Sequence, residues 1–158
     1  MWLAVTLAVV LVVATFLTHF SMLRWLSGGM GRIPMRKPTR MIAIVLATLA
    51  AHLVEIGLYA GVIFVAAEFS QMGGLGGVPV AAPLDYLYYS AVTFTSLGLG
   101  DVFPVGHLRF LTGVEALNGL LLIAWSGSFI YIAMGRLWQW QPCAEPRCSK
   151  SGDRTKVV

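Results

Sequence analysis

Apolar residues run along this chain in three long blocks, and the polar positions gather between the blocks instead of alternating within them. Trp2 to Leu23 is broken only by threonines, Ser21 and His19; Met41 to Ala67 is the second block, and the third runs from about Phe110 to Met134. Apolar runs of roughly 20 residues cross the hydrocarbon of a bilayer as helices. Between the second and third blocks the pattern changes. The stretch "EFSQMGGLGGVPVAAP" is rich in glycine and proline and reads as a loose external loop. The following "LDYLYYSAVTFTS" predicts a helix over residues 85–95, with Asp85 after a proline-containing turn as the capping residue. At roughly 15 Å such a helix is too short to cross. Lying between two spans, it predicts a re-entrant element.

Composition supports the same class. Of 158 residues, 58% are hydrophobic and 11% charged, against about 25% charged in soluble domains. The expected fold is an all-α membrane protein with three transmembrane helices plus a re-entrant pore helix and loop. The net charge of +4 matters through its placement. Arg24, Arg32, Arg36, Lys37 and Arg40 lie between the first two blocks with no acid among them. By the positive-inside rule that loop is cytoplasmic, which places the N-terminus and the 68–108 connection outside and the C-terminal tail inside. The first block lacks the basic start of a cleaved signal peptide and reads as a retained helix. Trp25, Trp138 and Trp140 fit interfacial anchors, and Gly57 with Gly61 forms a G-x-x-x-G packing pair. Cys143 and Cys148, in "QPCAEPRCSK", read as incidental thiols of the tail.

Re-entrant backbone is costly against lipid, so "SLGLG" must face an aqueous path or packed protein. Gly98 and Gly100 take positive φ without steric penalty. Alternating glycine with an L-residue lets successive carbonyls turn one way, and a ring of such carbonyls replaces a cation's hydration shell. Ser96 adds a hydroxyl at the inner end, the short helix aims its partly negative carboxyl end at the cavity below, and Asp101 raises the cation concentration at the outer mouth.

At these residues "TFTSLGLGD" resembles the T-x-G-[YFL]-G-D signature of the potassium-channel pore-loop family. An outer helix precedes it, "YYSAVTFT" serves as pore helix, and "VEALNGLLLIAWSGSFIY" follows as inner helix. The resemblance covers roughly residues 42–135. It implies a filter at Ser96, Leu97, Gly98, Leu99 and Gly100, with K⁺ held at Ser96 to Leu99 and supported by Thr95, Asp101 and Glu115. Serine stands where threonine is usual, and leucine where tyrosine is usual. One loop per chain encloses no path, so the resemblance implies a homotetramer around a central axis. The expected division is an N-terminal helix (1–24), a basic loop (25–40), a pore domain (41–136) and a tail (137–158). Within the pore domain the expected parts are an outer helix (41–67), pore helix (85–95), filter (96–100) and inner helix (109–136). The implied function is passive, potassium-selective conduction in the inner (plasma) membrane. The alternative is a non-selective or other-cation channel on the same architecture.

Polar residues inside the spans complete the reading. Asn118 and Ser126, with Ser128, are expected to line the inner cavity, and Gly119 and Gly127 either bend the third span or pack it. Glu55, one turn from His52, is either a pH- or cation-linked switch or a neutral acid bonded to His52. Glu115 is expected to steady the back of the filter. Counted from the span ends, His19 and His52 differ by ~10 Å in depth, which disfavours a shared haem; no cofactor beyond filter K⁺ is expected. No nucleophile with an activating base and no H-E-x-x-H pattern is present, so the expectation is a channel and not an enzyme. The expected partners are lipid, monovalent cations and other copies of the chain, with no nucleic acid.

Overall fold

The structure, a computed structural model, describes residues 2–29, 34–69 and 72–138. The expected thiols Cys143 and Cys148, Trp140 and the rest of the tail lie outside the described residues, as does Arg32. Three helices are long and apolar enough to cross a membrane: α1 (Trp2–Gly29), α2 (Lys37–Phe69) and α4 (Leu108–Trp138). At ~1.5 Å per residue they are roughly 42–50 Å long, longer than the hydrocarbon core. Between α2 and α4 lies the short α3 (Pro83–Phe94), in contact with both, and α1 packs on α2 and α4.

All four helices depart by a few residues from the expected boundaries, and three of the shifts are instructive. α1 continues through Arg24 and Trp25 as far as Gly29. Counting apolar residues stops at the first arginine, whereas helical backbone hydrogen bonding does not depend on side-chain charge. α2 begins at Lys37, with Pro38 in the first turn, where a missing N–H costs nothing. α3 begins at Pro83 and not at Asp85. Asp85 reaches back instead, its Oδ2 accepting the N–H groups of Ala82 at 2.8 Å and Ala81 at 2.9 Å. Those two amides hold its carboxyl below the ordinary carboxylate range.

The 68–84 connection is not the loose loop its composition suggests. Strand β1 (Leu75–Gly77) pairs antiparallel with β2 (Val102–Pro104), Leu75 opposite Pro104 and Gly77 opposite Val102. The pairing continues on both sides: Val78 N–H donates to the Asp101 carbonyl, Val105 N–H to Gly74, and His107 N–H to Met72. Glycine is required where the two strands meet. A Cβ on Gly73 or Gly77, both at positive φ, would stand 2.0 Å from the Val105 carbonyl oxygen or 2.1 Å from that of Asp101. The segment before α3 is thus laced to the segment after residues 96–100.

Buried residues form one stripe on α1: Ala4, Ala8, Leu11, Thr15, His19, Leu23 and Leu26, at helical spacing. It meets Tyr59, Ile63 and Ala66 of α2 and Leu111 and Leu122 of α4 in the main core, where Phe94 at the end of α3 is also wholly buried. A smaller cluster of Leu23, Leu26 and Ile44 closes the other end of the bundle.

Candidate functional site: a pore loop and the polar seam behind it

The loop starts as a helix ending. Thr95 is the C-cap of α3, and Ser96 follows at φ 57°, in the left-handed region. Ser96 N–H donates to the Thr93 carbonyl at 2.8 Å, and Leu97 N–H to the Val92 carbonyl at 2.9 Å. These two bonds form the Schellman pattern, which uses up the carbonyls a helix end leaves bare. Left-handed backbone is hard for a β-branched residue. Serine, unbranched at Cβ in the hydrocarbon sense, fits this bend better than the threonine usual in the motif. The Thr95 hydroxyl donates to the Ala91 carbonyl of its own helix at 2.8 Å, so its side chain supports the helix end and not residues 96–100 directly.

From there φ is positive at Ser96, Gly98 and Gly100 and not at Leu97 or Leu99. The segment touches little of its own chain. Leu97 is 64% and Leu99 60% exposed, and a Cβ built on Gly98 or Gly100 would meet nothing within 4 Å. Past it, Asp101 Oδ2 accepts the Tyr88 hydroxyl at 2.7 Å, a bond from the middle of α3 to the outer end of the loop. That hydroxyl holds the Asp101 carboxyl below the ordinary carboxylate range. Tyr86 donates to Glu68 at 2.8 Å, and Tyr89 shares a 2.7 Å bond with Thr112, so the tyrosines of α3 anchor it to α2, to α4 and to the loop.

Behind α3 the polar residues of the spans meet one another. Glu115 Oε1 accepts the Ser90 hydroxyl, which lies 2.9 Å from the Ile56 carbonyl as well; Glu115 is fully buried and its Oε2 has no partner. Glu115 therefore grips α3 from behind and does not reach residues 96–100. Asn118 Nδ2 donates to Thr15 Oγ1 at 2.8 Å and to the Tyr59 hydroxyl at 3.2 Å, and so joins all three spans. Gly119 lies against the end of α3: a Cβ there would be 2.1 Å from the Phe94 carbonyl oxygen. It is a close-approach glycine and not a hinge. Gly127 is exposed with open space around its Cα.

One helical turn further, Glu55 sits between two histidines. Its Oε1 is 2.9 Å from His19 Nδ1 and its Oε2 2.9 Å from His52 Nδ1. Ser126 Oγ closes the ring, 3.1 Å from both His19 Nε2 and His52 Nε2. The two imidazoles stack with centroids 5.1 Å apart, and Trp125 covers His19. The depth count that separated His19 from His52 fails because it starts from the edges of the apolar blocks, which are not the helix ends. Asn118 and Ser126 are buried within the chain, so neither lines a cavity between copies; only Ser128 of the expected serines is exposed, bonded to its own helix. Thr15 and Tyr59 are the residues missed by sequence reasoning, which weighs His19 only as a haem ligand. Their signal was present: Thr15 and His19 fall at i, i+4, and Asn118 and Ser126 at i, i+8, each pair on one face of an otherwise apolar span. Polar residues so placed seek partners on neighbouring helices.

Comparison with known proteins accords with this arrangement. A family model described as "Ion channel" matches residues 51–136, from the middle of α2 through α3 and the loop to the end of α4. No curated protein and no solved structure matches the chain. The family match covers more than half of the sequence and includes the whole of "TFTSLGLGD". With three helices able to span a membrane, this is a multi-pass membrane protein, and the chain belongs to that ion-channel family, the two-transmembrane type of potassium-channel pore.

Proposed function

We propose that this channel conducts K⁺ passively through a filter of backbone carbonyls at Ser96, Leu97, Gly98, Leu99 and Gly100, assembled from four copies of the chain. The observation that carries the proposal is the backbone of that segment: φ changes sign at every step, and the residues face away from the chain's own core. Such alternation turns consecutive carbonyls toward one side, the arrangement that substitutes for a cation's hydration shell. A surface this exposed and this rich in leucine has no place against water in a monomer, and fourfold closure gives it one. The C-terminal end of α3 adds partial negative charge beneath the filter, and Asp101 adds a full charge above it.

The orientation follows the charges: N-terminus outside, basic 25–40 loop and tail in the cytoplasm, in a cell's inner (plasma) membrane. Conduction needs no catalytic group. Leu99 favours the second reading, a less selective cation channel, because a leucine has no hydroxyl with which to hold the filter's width. Bi-ionic reversal potentials of the reconstituted protein distinguish the two. Gly98→Ala forces φ 56° on a residue with a Cβ, at about 1–2 kcal/mol per chain. Selective K⁺ flux into liposomes is expected to vanish in that variant. Unchanged K⁺ over Na⁺ selectivity would remove Gly98 from the filter.

A further inference from the structure

We propose that His19, His52 and Glu55 form an intramembrane site for a borderline divalent transition metal of the Zn²⁺ class. The site stands apart from the filter and does not depend on its ion selectivity. One ligand atom from each of the three residues lies within 4.8 Å of the others; His19 and Glu55 are fully buried, and the His52 side chain is 15% exposed. Two imidazole nitrogens and a carboxylate are a ligand set that suits Zn²⁺ and Co²⁺, and not the oxygen-seeking Mg²⁺ or Ca²⁺. The ligands come from α1 and α2, and the group that orients them from α4, so a bound ion would staple the three spans together.

The proton count of the ring supports this. Each of its four contacts needs one proton to be a hydrogen bond. Two neutral imidazoles and one hydroxyl supply three while Glu55 is ionised. With both Nδ1–H groups donating to the carboxylate, two Nε2 lone pairs face a single Ser126 proton, and one of them is left over. A metal held by both Nδ1 atoms and the carboxylate removes the mismatch. Both imidazoles then carry their proton on Nε2, and Ser126 Oγ accepts the pair with its two lone pairs, leaving its own proton for the helix backbone. A metal-bound histidine donating its second N–H to a fixed oxygen is the usual outer shell of such sites. Glu55 meets His19 through Oε1 and His52 through Oε2, each at 2.9 Å, so these edges must open modestly toward the about 3.3 Å of a tetrahedron built on ~2.0–2.1 Å bonds, with water as the fourth ligand. A fourth proton would close the ring as well, and it is the rival occupant that the experiment separates.

The test uses full-length protein carrying Cys143→Ser and Cys148→Ser, without an oligohistidine tag, so that tail thiols and tag contribute no ligands. Chelator-treated protein is titrated with Co²⁺ and then Zn²⁺. The expected result is one Co²⁺ per chain with visible absorption bands of a four-coordinate site, displaced by Zn²⁺ and indifferent to excess Mg²⁺. Ser126→Ala keeps every ligand and is expected to weaken binding by roughly 10–100-fold, which separates loss of metal from loss of fold. Glu55→Gln with His52→Gln is expected to abolish the bands. Absence of a saturable Co²⁺ spectrum in the parent, or bands that survive the double substitution, overturns the proposal. Saturable proton uptake with no metal uptake overturns it too and assigns the ring to a proton. Since the readout is metal content, its failure leaves the filter reading untouched.

Discussion

The two sides of α3 differ in how they satisfy their polar groups. Behind it, Ser90, Glu115, Asn118, Thr15, Tyr59, His19, His52, Glu55 and Ser126 bond to one another or to backbone within a single chain. In front of it, residues 96–100 have their first amides tied to the helix end and their side chains and remaining backbone on the exposed face. The difference separates what one chain satisfies by itself from what it leaves exposed. In hydrocarbon an unsatisfied polar group costs several kcal/mol, so the rear seam finds nearly all of its partners within the chain, Glu115 Oε2 excepted, whereas on the proposed assembly the loop would be completed by neighbouring copies. Residues 96–100 are thus presented on a scaffold already held from behind.

The comparison breaks most visibly at Glu55. Glu55→Leu leaves His19 Nδ1 and His52 Nδ1 without an acceptor, at roughly 1–3 kcal/mol for each orphaned group. Thermal unfolding in detergent is expected to shift down sharply, while K⁺ over Na⁺ selectivity of the assembled fraction stays as in the parent. A change in selectivity with normal stability would mean that the rear seam acts on the filter directly. At the boundary between the two regions, Gly119→Ala puts a methyl against the Phe94 carbonyl and is expected to cost about 1–3 kcal/mol by overpacking. Both stability and conduction fall in this variant, because α3 must move to admit the methyl. Flux measured beside the melting curve shows whether the two losses go together.

Tyr88→Phe gives the smallest effect and sharpens the front side alone. In the parent the Asp101 charge, with whatever stability its bond adds, is present above the ordinary carboxylate pKa. It is lost only as pH falls through the depressed folded value. Without the Tyr88 hydroxyl that loss moves up toward the ordinary range, so external acid reduces conductance at a higher pH in the variant. Superimposed conductance–pH curves would show that Asp101 does not set the ion supply at the mouth.

Much of the fold was legible because hydropathy reports it directly. The blocks around Leu11, Leu49 and Leu122 could be little else than spans, and "TFTSLGLGD" between two of them marked the loop. Asp85 was recognised as a start signal but placed one role away, since Pro83 as the first helical residue moves the cap to Ala82. The β1–β2 lacing was not legible. "LGG" offers no alternation and a low strand propensity, and its pairing is set by a partner 25 to 29 residues on, beyond residues 96–100. Nor was the convergence of His19 with His52, because the pairing of residues on different helices depends on how the helices slide and rotate against each other. Only the shared face of Thr15 with His19, and of Asn118 with Ser126, hinted that each stripe had an opposite number.

The lacing of residues 72–78 to 101–107 also constrains how the protein is made. Each half of that ribbon arrives on a different side of α3 in the order of synthesis, and neither half has partners until the other has emerged. The ribbon therefore closes only after α3 and residues 95–101 have been made, and its closing fixes the two ends of that re-entrant stretch to each other.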